Sequence, residues 1–412
     1  MGGLILWRTL FVVKNNKSDD MVVAMPAGDQ VDGVRRRNLA TILDFVHHGR
    51  AVSRAELTAL TGLNRSTVAA LVAELAGIGL LREGEPVASS RVGRPSPGVV
   101  SDPRPVVIAV NPEVDAVTAA VVGLGARVER RIRRPVDSIP DPEAAVAIIA
   151  SVVDELIAAS PDDRRVAAIG LAIPGLVRAS DGTVRWAPHL EWREVPFAHL
   201  VQDAVRLPVL ADNDASLGAL AEHLFGAGRG VDDLIYLNGG ASGIGGGAVV
   251  RGEPLTGRGG YAGEFGQNRP GVDAPGDRVT ARGTLEDEVS RARLLALLGL
   301  DSADEPQVAA AIAASNDPRV AEEMRRQQGV LAAALGNAIN VFNPELVVLG
   351  GYLATHLAWN PPTLADAVQD TTVPAAWEGV RIVPAALGED RLLIGAAELA
   401  FRPLLRDPGS WR

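Results

Sequence analysis

The pattern of apolar and polar positions predicts three short helices near the start of the chain. Apolar side chains recur at intervals of three and four residues, the spacing of one helix face, over residues 39–46, 57–60 and 68–75. Ser53 and Glu56 have the spacing of a capping box at the start of the second helix, whose apolar side is Leu57 and Leu60. Gly62 lies where a tight turn needs a permissive backbone, and Asn64 can cap the third helix. This arrangement is typical of a helix-turn-helix.

The outward side of the third helix has the chemistry of a DNA-reading surface. Short hydroxyls, an arginine and small apolar side chains lie near its N-terminus, where they can bond phosphates and base edges or touch thymine methyl groups. An ordinary pair of helices with a solvated face is the alternative. Together with an arginine of the preceding helix, the candidate DNA-binding residues here are Arg54, Arg65, Ser66, Thr67 and Ala70.

Two short strands with a basic loop between them follow the third helix. Residues 80–83 and 98–101 can pair, and the loop tip contains Arg91, Gly93 and Arg94. In a winged helix such a tip reaches the adjacent minor groove or the DNA backbone, so these three residues complete the predicted DNA-binding set. A flexible linker is the alternative for this loop.

Charge separates this N-terminal module from the rest of the chain. Residues 33–100 carry nine arginines against five acidic residues, a net charge of +4. Three of those arginines, at 35–37, lie at the predicted start of the first helix, which is tolerable beside phosphates. Residues 1–32 carry −1, so the overall charge of −10 leaves −13 for residues 101–412. Only the module at 33–100 is therefore expected to touch nucleic acid.

Length and composition indicate a globular protein of two or three domains. Its 412 residues are 47% hydrophobic and 22% charged and include no cysteine. Disulfides and thiolate metal sites are therefore excluded, and we expect a cytoplasmic location. The apolar run within residues 1–13 is too short to span a bilayer, so no membrane insertion is expected. We interpret residues 1–32 as a disordered leader, with Met21 or Met25 as alternative starting residues.

Strands alternate with helices from residue 101 onward, which predicts an α/β architecture. Polar groups collect where predicted strands end, the usual place for a site in such folds. Asn213 and Asp214 follow one buried strand, and an Asp beside an Asn can bind and deprotonate a hydroxyl. An Asx turn or a helix cap is the alternative for Asp214. A glycine loop at 243–247, between two predicted strands, allows close approach to an anion or a sugar, or is simply a hairpin turn.

The order of these motifs is more specific than any one of them, and it resembles the ROK (repressor, open reading frame, kinase) family. The resemblance covers nearly everything from residue 34 and includes IGLAIPGLV at 169–177, LADNDASLGALAEHLFGAG at 210–228, SGIGGGAVVRGEPLTG at 242–257, GEFGQ at 263–267 and NPELVVLGG at 343–351. It implies a winged helix-turn-helix at 33–100, followed by the two-lobed, actin-like (ribonuclease H-like) sugar kinase fold at 101–412. The lobes would be roughly 101–214 plus 385–412, and 215–384.

The resemblance also implies which residues bind a sugar in the cleft between the lobes. Carboxylates and amides suit this work because each can make two hydrogen bonds to vicinal hydroxyls. Asp214 holds the position of the kinase base and would be a vestigial base here. The candidate sugar-binding residues are Pro174, Gly175, Asn213, Asp214, Glu264, Gln267 and Glu286.

Three departures from the family pattern change the expected function. The Asp-x-Gly-x-Thr phosphate loop of the family kinases reads Asn-Pro-Glu-Val-Asp at 111–115, and its two acids would repel ATP. The zinc-binding His of the family's Gly-Glu-x-Gly-His is replaced by Gln267, and the three zinc-binding Cys correspond to Asp277, Val279 and Thr284. We therefore expect no zinc, no ATP and no kinase activity.

The leading hypothesis is a DNA-binding transcriptional regulator, a repressor of carbohydrate uptake or catabolism genes whose operator affinity changes when a sugar binds in the kinase-like cleft. Its partners would be double-stranded operator DNA and a carbohydrate effector, and it would form a homodimer or homotetramer. One alternative is an ATP-dependent sugar kinase with an attached DNA-binding domain. Another is a constitutive DNA-binding protein with a purely structural pocket, which the desolvation cost of several polar groups in an unused cleft opposes. His189 stands where the family commonly has Asn and, with Gln267, bears on sugar preference.

Overall fold

An N-terminal head of three helices and a small sheet precedes a larger two-lobed body. The computed structural model describes residues 27–49, 51–86, 97–240, 243–271, 282–301, 303 and 305–411. In the head, one antiparallel sheet has the strand order β1-β3-β2. The head elements are α1 (Ala27–Gly49), β1 (Ala51–Ser53), α2 (Arg54–Thr61), α3 (Arg65–Gly77), β2 (Leu81–Pro86) and β3 (Pro97–Ser101).

Local capping explains where the head helices begin and end. The Glu56 amide donates to Ser53 Oγ at 3.2 Å and the Ser53 amide donates to Glu56 Oε2 at 2.8 Å, which confirms the predicted capping box. Gly62 ends α2 with φ of 68°, a left-handed conformation that suits glycine. Asn64 Oδ1 accepts from the Thr67 amide at 2.8 Å and so caps α3.

Two details of the predicted head are wrong. Leu60 is 55% exposed, because only the side of α2 that carries the buried Leu57 faces the other helices. Helix α1 begins at Ala27, so the arginines at 35–37 lie inside the helix and not at its start. The prediction that these arginines lie at a helix N-terminus, against the preference of the helix dipole, is therefore wrong. Residues 27–32 are helical, although the sequence analysis assigned them to a disordered leader. Residues 1–26 of that leader lie outside the described part of the chain.

The first lobe is built on a mixed five-stranded sheet of order β11-β7-β4-β5-β6. Strands β4, β5 and β6 form an antiparallel meander, and β7 and β11 continue the sheet in parallel. A three-stranded sheet, β8-β9-β10, and two helices complete the lobe; β8 to β10 and α5 were not predicted. The elements are β4 (Pro105–Pro112), β5 (Ala116–Gly123), β6 (Arg127–Pro135), α4 (Pro142–Ala158), β7 (Arg165–Ile173), β8 (Leu176–Arg178), β9 (Thr183–Ala187), β10 (Trp192–Val195), α5 (Phe197–Val205) and β11 (Val209–Asn213).

The second lobe has a five-stranded sheet of order β14-β13-β12-β15-β16, with helices packed on it. The chain then returns to the first lobe as the long helix α14, which packs on β4 and β7. The elements of this part of the chain are α6 (Asp214–Phe225), β12 (Leu234–Gly240), β13 (Gly243–Val250), β14 (Glu253–Pro254), α7 (Leu285–Glu288), α8 (Arg291–Leu298), α9 (Glu305–Ala314), α10 (Pro318–Phe342), β15 (Leu346–Gly351), α11 (Leu353–Trp359), α12 (Pro361–Asp370), α13 (Pro374–Trp377) and β16 (Arg381–Pro384). The returning helix α14 is Arg391–Arg406.

The glycines at 243–247 form part of strand β13, so the predicted glycine loop is wrong. They pair antiparallel with β12. A Cβ on Gly245 would lie 2.6 Å from the Cβ of Ala215, and one on Gly247 would lie 2.7 Å from that of Ala219. The absence of side chains at Gly245 and Gly247 thus lets α6 lie directly on the sheet.

One apolar core joins the head to the first lobe. Side chains of all three head helices, such as Leu43, Leu57 and Leu75, belong to the same buried cluster as Val107 of β4 and Phe401 of α14. The head is therefore packed on the body and not merely tethered to it. Of the helices described, none is both long enough and apolar enough to cross a membrane.

Candidate functional site

The cleft between the lobes is centred on the point where β11 ends and α6 begins. Asn213 caps α6, because its Oδ1 accepts from the Ser216 amide at 2.9 Å. Its Nδ2 donates to the Gly175 carbonyl at 3.0 Å and so ties this corner to the loop after β7. Asp214 Oδ1 accepts from the Ala215 amide at 2.7 Å. Since Asn213 does the capping, the Asp214 carboxylate is left facing the cleft.

The electrostatic surroundings of Asp214 favour its protonated form. Burial raises the pKa of Asp214 to about 7, and the nearby carboxylates of Glu113 and Glu264 add to the shift, while the Ala215 amide and Arg391 oppose it. This carboxylate therefore titrates near neutral pH, as a group that exchanges a proton or a hydrogen bond with a ligand would.

Three further candidates face Asp214 from the second lobe. Glu264 precedes a short 3-10 helix that ends at Gln267, and Glu286 lies on α7. Gln267 Nε2 donates to Glu286 Oε1 at 2.7 Å, which orients both side chains. Desolvation and the nearby Glu286 raise the pKa of Glu264. A Cβ on Gly243 would lie 2.7 Å from Glu286 Oε2, so the strand needs glycine there to admit this carboxylate.

All seven predicted sugar-binding residues line a single cavity of about 100 Å³. Pro174 and Gly175 are among the lining residues, and their part in sugar binding stays a prediction. His189 also lines it, although its role stays a prediction. The sequence reasoning missed Trp186, a 41% exposed side chain on β9 that forms a further wall. The burial of residues 183–187 does not alternate, since Val184 is buried and Trp186 is exposed, so the sequence pattern carried no signal for this tryptophan.

A second cavity, of about 350 Å³, adjoins the first on the other side of Asp214. Glu113 lines it, and burial together with Asp115 raises the pKa of Glu113. Arg391, only 6% exposed, donates to Asn238 Oδ1 at 3.1 Å and to Glu305 Oε1 at 2.9 Å. This cavity thus contains a half-buried acid and an arginine whose guanidinium is already engaged by the protein.

Three of the positions that correspond to a kinase's phosphate loop and the family's zinc site have structural partners here. Asn111 is buried and its Nδ2 donates to the Ala172 carbonyl at 2.9 Å. Asp115 pairs with Arg133 at 2.7 Å. Of the three positions that correspond to zinc-binding cysteines, Thr284 caps α7, and Asp277 and Val279 lie outside the described residues.

The predicted DNA-reading side of α3 faces solvent. Arg65, Ser66 and Ala70 are exposed and Thr67 is half-buried, whereas the stripe at 68–75 packs inward. Arg54 forms an ion pair with Glu83 of β2, which fixes it beside the wing. The wing-tip residues Arg91, Gly93 and Arg94 lie outside the described part of the chain.

Replacing Arg65 by alanine is expected to weaken operator binding about tenfold, within the range of about 1–3 kcal/mol typical of a specific arginine contact. Its side chain is exposed, with no ion pair among the described residues, so the variant should fold normally. Fluorescence anisotropy of a labelled duplex at fixed salt measures the effect. Arg325→Ala removes an equally exposed charge from α10 and is the control. Equal affinities of the two variants would show that α3 does not read DNA.

Comparison with known proteins covers both parts of the chain. The ROK family profile matches residues 91–402. The xylose repressor of Caldicellulosiruptor bescii is 27% identical over 90% of this chain and 96% of its own length, whereas the glucokinase of Thermotoga maritima is 31% identical over 60% of this chain and 83% of its own. A solved ROK family transcriptional regulator, a homologue of the E. coli MLC protein, superposes with a TM-score of 0.72 at 24% identity, over 90% of this chain and 97% of that one.

Proposed function

The chain belongs to the ROK family, and from that premise we propose that it is a transcriptional repressor whose operator affinity is set by a sugar bound in the cleft. Its target genes would serve carbohydrate uptake or catabolism. A similar repressor matches the chain along nearly its whole length, including the head, whereas a similar kinase matches 60% of it. The protein would act in the cytoplasm as a homodimer or homotetramer, with no zinc and no ATP.

The proposal that the cleft binds a sugar rests on the different positions of the Asn213 and Asp214 side chains. Because Asn213 caps α6, the Asp214 carboxylate remains available in a cavity that also holds Glu264, Gln267 and Glu286. Three carboxylates in so small a space repel anions and offer many acceptors, which suits a neutral ligand rich in hydroxyl donors. The exposed ring of Trp186 supplies an apolar wall against which the carbon face of a sugar can pack.

Kinase activity, the alternative, is opposed by the contents of the adjoining cavity. ATP would have to place its phosphates near the half-buried Glu113, while Arg391 is hydrogen-bonded to Asn238 and Glu305. Kinases of this class need positive charge or metal at that place. We expect no phosphorylation of xylose, or of glucose and other hexoses, with ATP and Mg²⁺. Phosphorylation that disappears in Asp214→Asn would make the kinase the better assignment.

The decisive experiment is operator binding with and without a panel of sugars. Duplexes that the full-length protein selects from a random-sequence library provide the DNA, and D-xylose is the first sugar to test because similar repressors are named for it. We expect one sugar to change operator affinity about five- to 150-fold, the usual range of coupling between two sites. If the protein selects DNA but no sugar changes its affinity or its melting temperature, the sensing function is wrong.

Sugar affinity is expected to fall as pH is lowered from 8 to 6. Burial raises the pKa of Asp214 to about 7, and the ionised carboxylate is the stronger acceptor of hydroxyl hydrogen bonds. Since the ionised fraction falls about tenfold over this interval, the dissociation constant should rise by up to about tenfold. Titration calorimetry at pH 6, 7 and 8 measures this, and Asp214→Asn should flatten the profile. An unchanged pH dependence in the variant would assign the titration to another group.

A further inference from the structure

The last turn of α1 is held by the body through two histidines. Gly125 donates its amide hydrogen to His47 Nδ1 at 2.9 Å, and His47 Nε2 lies 2.8 Å from Glu398 Oε2 on α14. His48 Nε2 lies 3.4 Å from the other oxygen of the same carboxylate. We call His47, His48 and Glu398 the histidine clasp. It joins the DNA-binding head to the body by side chains about 350 residues apart in the sequence.

The clasp is the only set of described residues that brings three potential metal ligands together, yet its hydrogen bonds oppose a metal. Because His47 Nδ1 accepts from Gly125, its ring proton is assigned to Nε2, where it is donated to Glu398. A protonated Nε2 has no lone pair for a metal ion. The clasp is therefore a fastening between elements.

Charge strengthens this fastening. Burial alone would lower the pKa of His48, but hydrogen bonds to Asp44 and Glu398 outweigh it and raise the pKa to about 9. Burial likewise would raise the pKa of Glu398, but His47 and His48 hold it at about 2. An ion pair of His48 with Glu398 thus lies in a largely buried place, where removing one partner strands the other.

Helix α6 reaches the clasp from the sugar cavity. Its first residue is Asp214, and its last, Phe225, has its ring centroid 5.5 Å from that of His47 and 5.3 Å from that of His48. Just beyond α6, Arg229 donates to the His48 carbonyl at 2.9 Å. Twelve helical residues span about 18 Å, so one rigid element connects the cavity with the end of α1.

Helix α14 follows the same route beside α6. A Cβ on Gly395 would lie 2.2 Å from the Leu217 carbonyl oxygen, so the two helices touch backbone to backbone and cannot slide independently. Its first residue, Arg391, lies in the cavity that adjoins the sugar site. Glu398 and Phe401, about two and three turns beyond Arg391, contact His47.

We propose that α6 and α14 move as one block that transmits occupancy of the sugar cavity to the DNA-binding head, with the histidine clasp as the set of positioning residues that fastens α1 to this block. This rests on the proposed function. A sugar that pulls on Asp214 shifts the start of α6, and the block carries that shift to the end of α1. Loss of the clasp should then leave both ligands able to bind but unable to influence each other.

The test compares the full-length wild type with Glu398→Gln and His48→Gln, measuring the operator dissociation constant with and without saturating D-xylose, or the sugar to which the wild type responds. We expect a wild-type ratio of about five to 150 and variant ratios near one, while each variant binds sugar and DNA within about threefold of the wild type. Those retained affinities separate uncoupling from simple loss of structure. Phe225→Leu, which keeps an apolar side chain at the end of α6, gives a second variant should Glu398→Gln fold poorly.

Arg36→Gln is the matched control, because it removes a different and exposed contact of α1 with the body, the 3.6 Å ion pair with Asp407. Its ratio should equal that of the wild type. If the wild type responds to sugar and the clasp variants keep the full ratio, transmission through the clasp is wrong while the proposed function stands. If the wild type responds to no sugar, the sugar-sensing function and transmission through the clasp are both wrong.

Discussion

Asp214→Ala is expected to weaken sugar binding by about a hundredfold and to abolish the sugar response at the operator. A hydroxyl hydrogen bond to a charged carboxylate typically contributes about 1.5–3 kcal/mol, and a hundredfold loss corresponds to about 2.8 kcal/mol. Operator affinity without sugar should stay unchanged, since Asp214 lies in the cleft and α3 is on the head. Titration calorimetry with the sugar and anisotropy with the operator give the two affinities.

Asp212→Ala is the matched control, because this carboxylate lies two residues away and lines a different cavity. Its sugar affinity should remain close to that of the wild type. A loss equal to that of Asp214→Ala would mean that the whole strand end has rearranged and that the assignment of Asp214 is unsupported.

Asp214→Ala should also raise the melting temperature of the protein, and it should do so more at pH 8 than at pH 5. The pKa of Asp214 is raised to about 7 in the folded protein from 3.8, so the favourable contribution of its protonated form is lost as pH rises through that interval. At pH 8 the wild type therefore carries the full cost of a desolvated charge, which alanine removes. A lower melting temperature for the variant would show that the carboxylate serves the fold and not a ligand.

Gly395→Ala is expected to destabilise the protein by about 1–3 kcal/mol or more, the usual cost of overpacking. The added Cβ would lie 2.2 Å from the Leu217 carbonyl oxygen, and a backbone atom cannot turn aside as a flexible side chain can. Helices α6 and α14 would have to separate, and their separation should also reduce the sugar response. Thermal unfolding followed by circular dichroism measures the first effect and operator binding the second.

Gly77→Ala provides the contrast, because a Cβ at this exposed end of α3 would meet nothing within 4 Å. It should leave stability unchanged or raise it by about 0.5–1 kcal/mol, as alanine does in a helix. If the two substitutions lowered the melting temperature equally, the close crossing of α6 and α14 would be refuted.

Features that depend on neighbours in the sequence were predictable. The capping box of Ser53 and Glu56, the stripe at 68–75 and the helix cap at Asn64 are set by spacings of three and four residues. The position of Asn213 and Asp214 after β11 followed from the short apolar run at 209–211, although only Ala211 of that strand is buried. The family resemblance selected seven residues that are scattered in the sequence, and all seven line one cavity. Periodicity alone could not have selected them.

Features that depend on tertiary contact were not predictable in this way. The glycines at 243–247 suggested a loop because only the packing of α6 on β13 reveals why side chains are excluded there. The engagement of Arg391 by Glu305, and that of Glu398 by His47, join segments that lie far apart in sequence. Leu60 fitted an apolar pattern, but α2 is too short to bury more than one side.

The apolar core shared by the head and the first lobe bears on how regulators of this shape acquire new targets. Exchanging the head for that of a relative would leave Val107 and Phe401 against a foreign surface, so a chimaera cut near residue 100 should aggregate. Point substitution on the solvent side of α3 disturbs none of that packing. We therefore expect new operator preferences to arise more readily by substitution of a few exposed side chains of α3 than by exchange of the whole head.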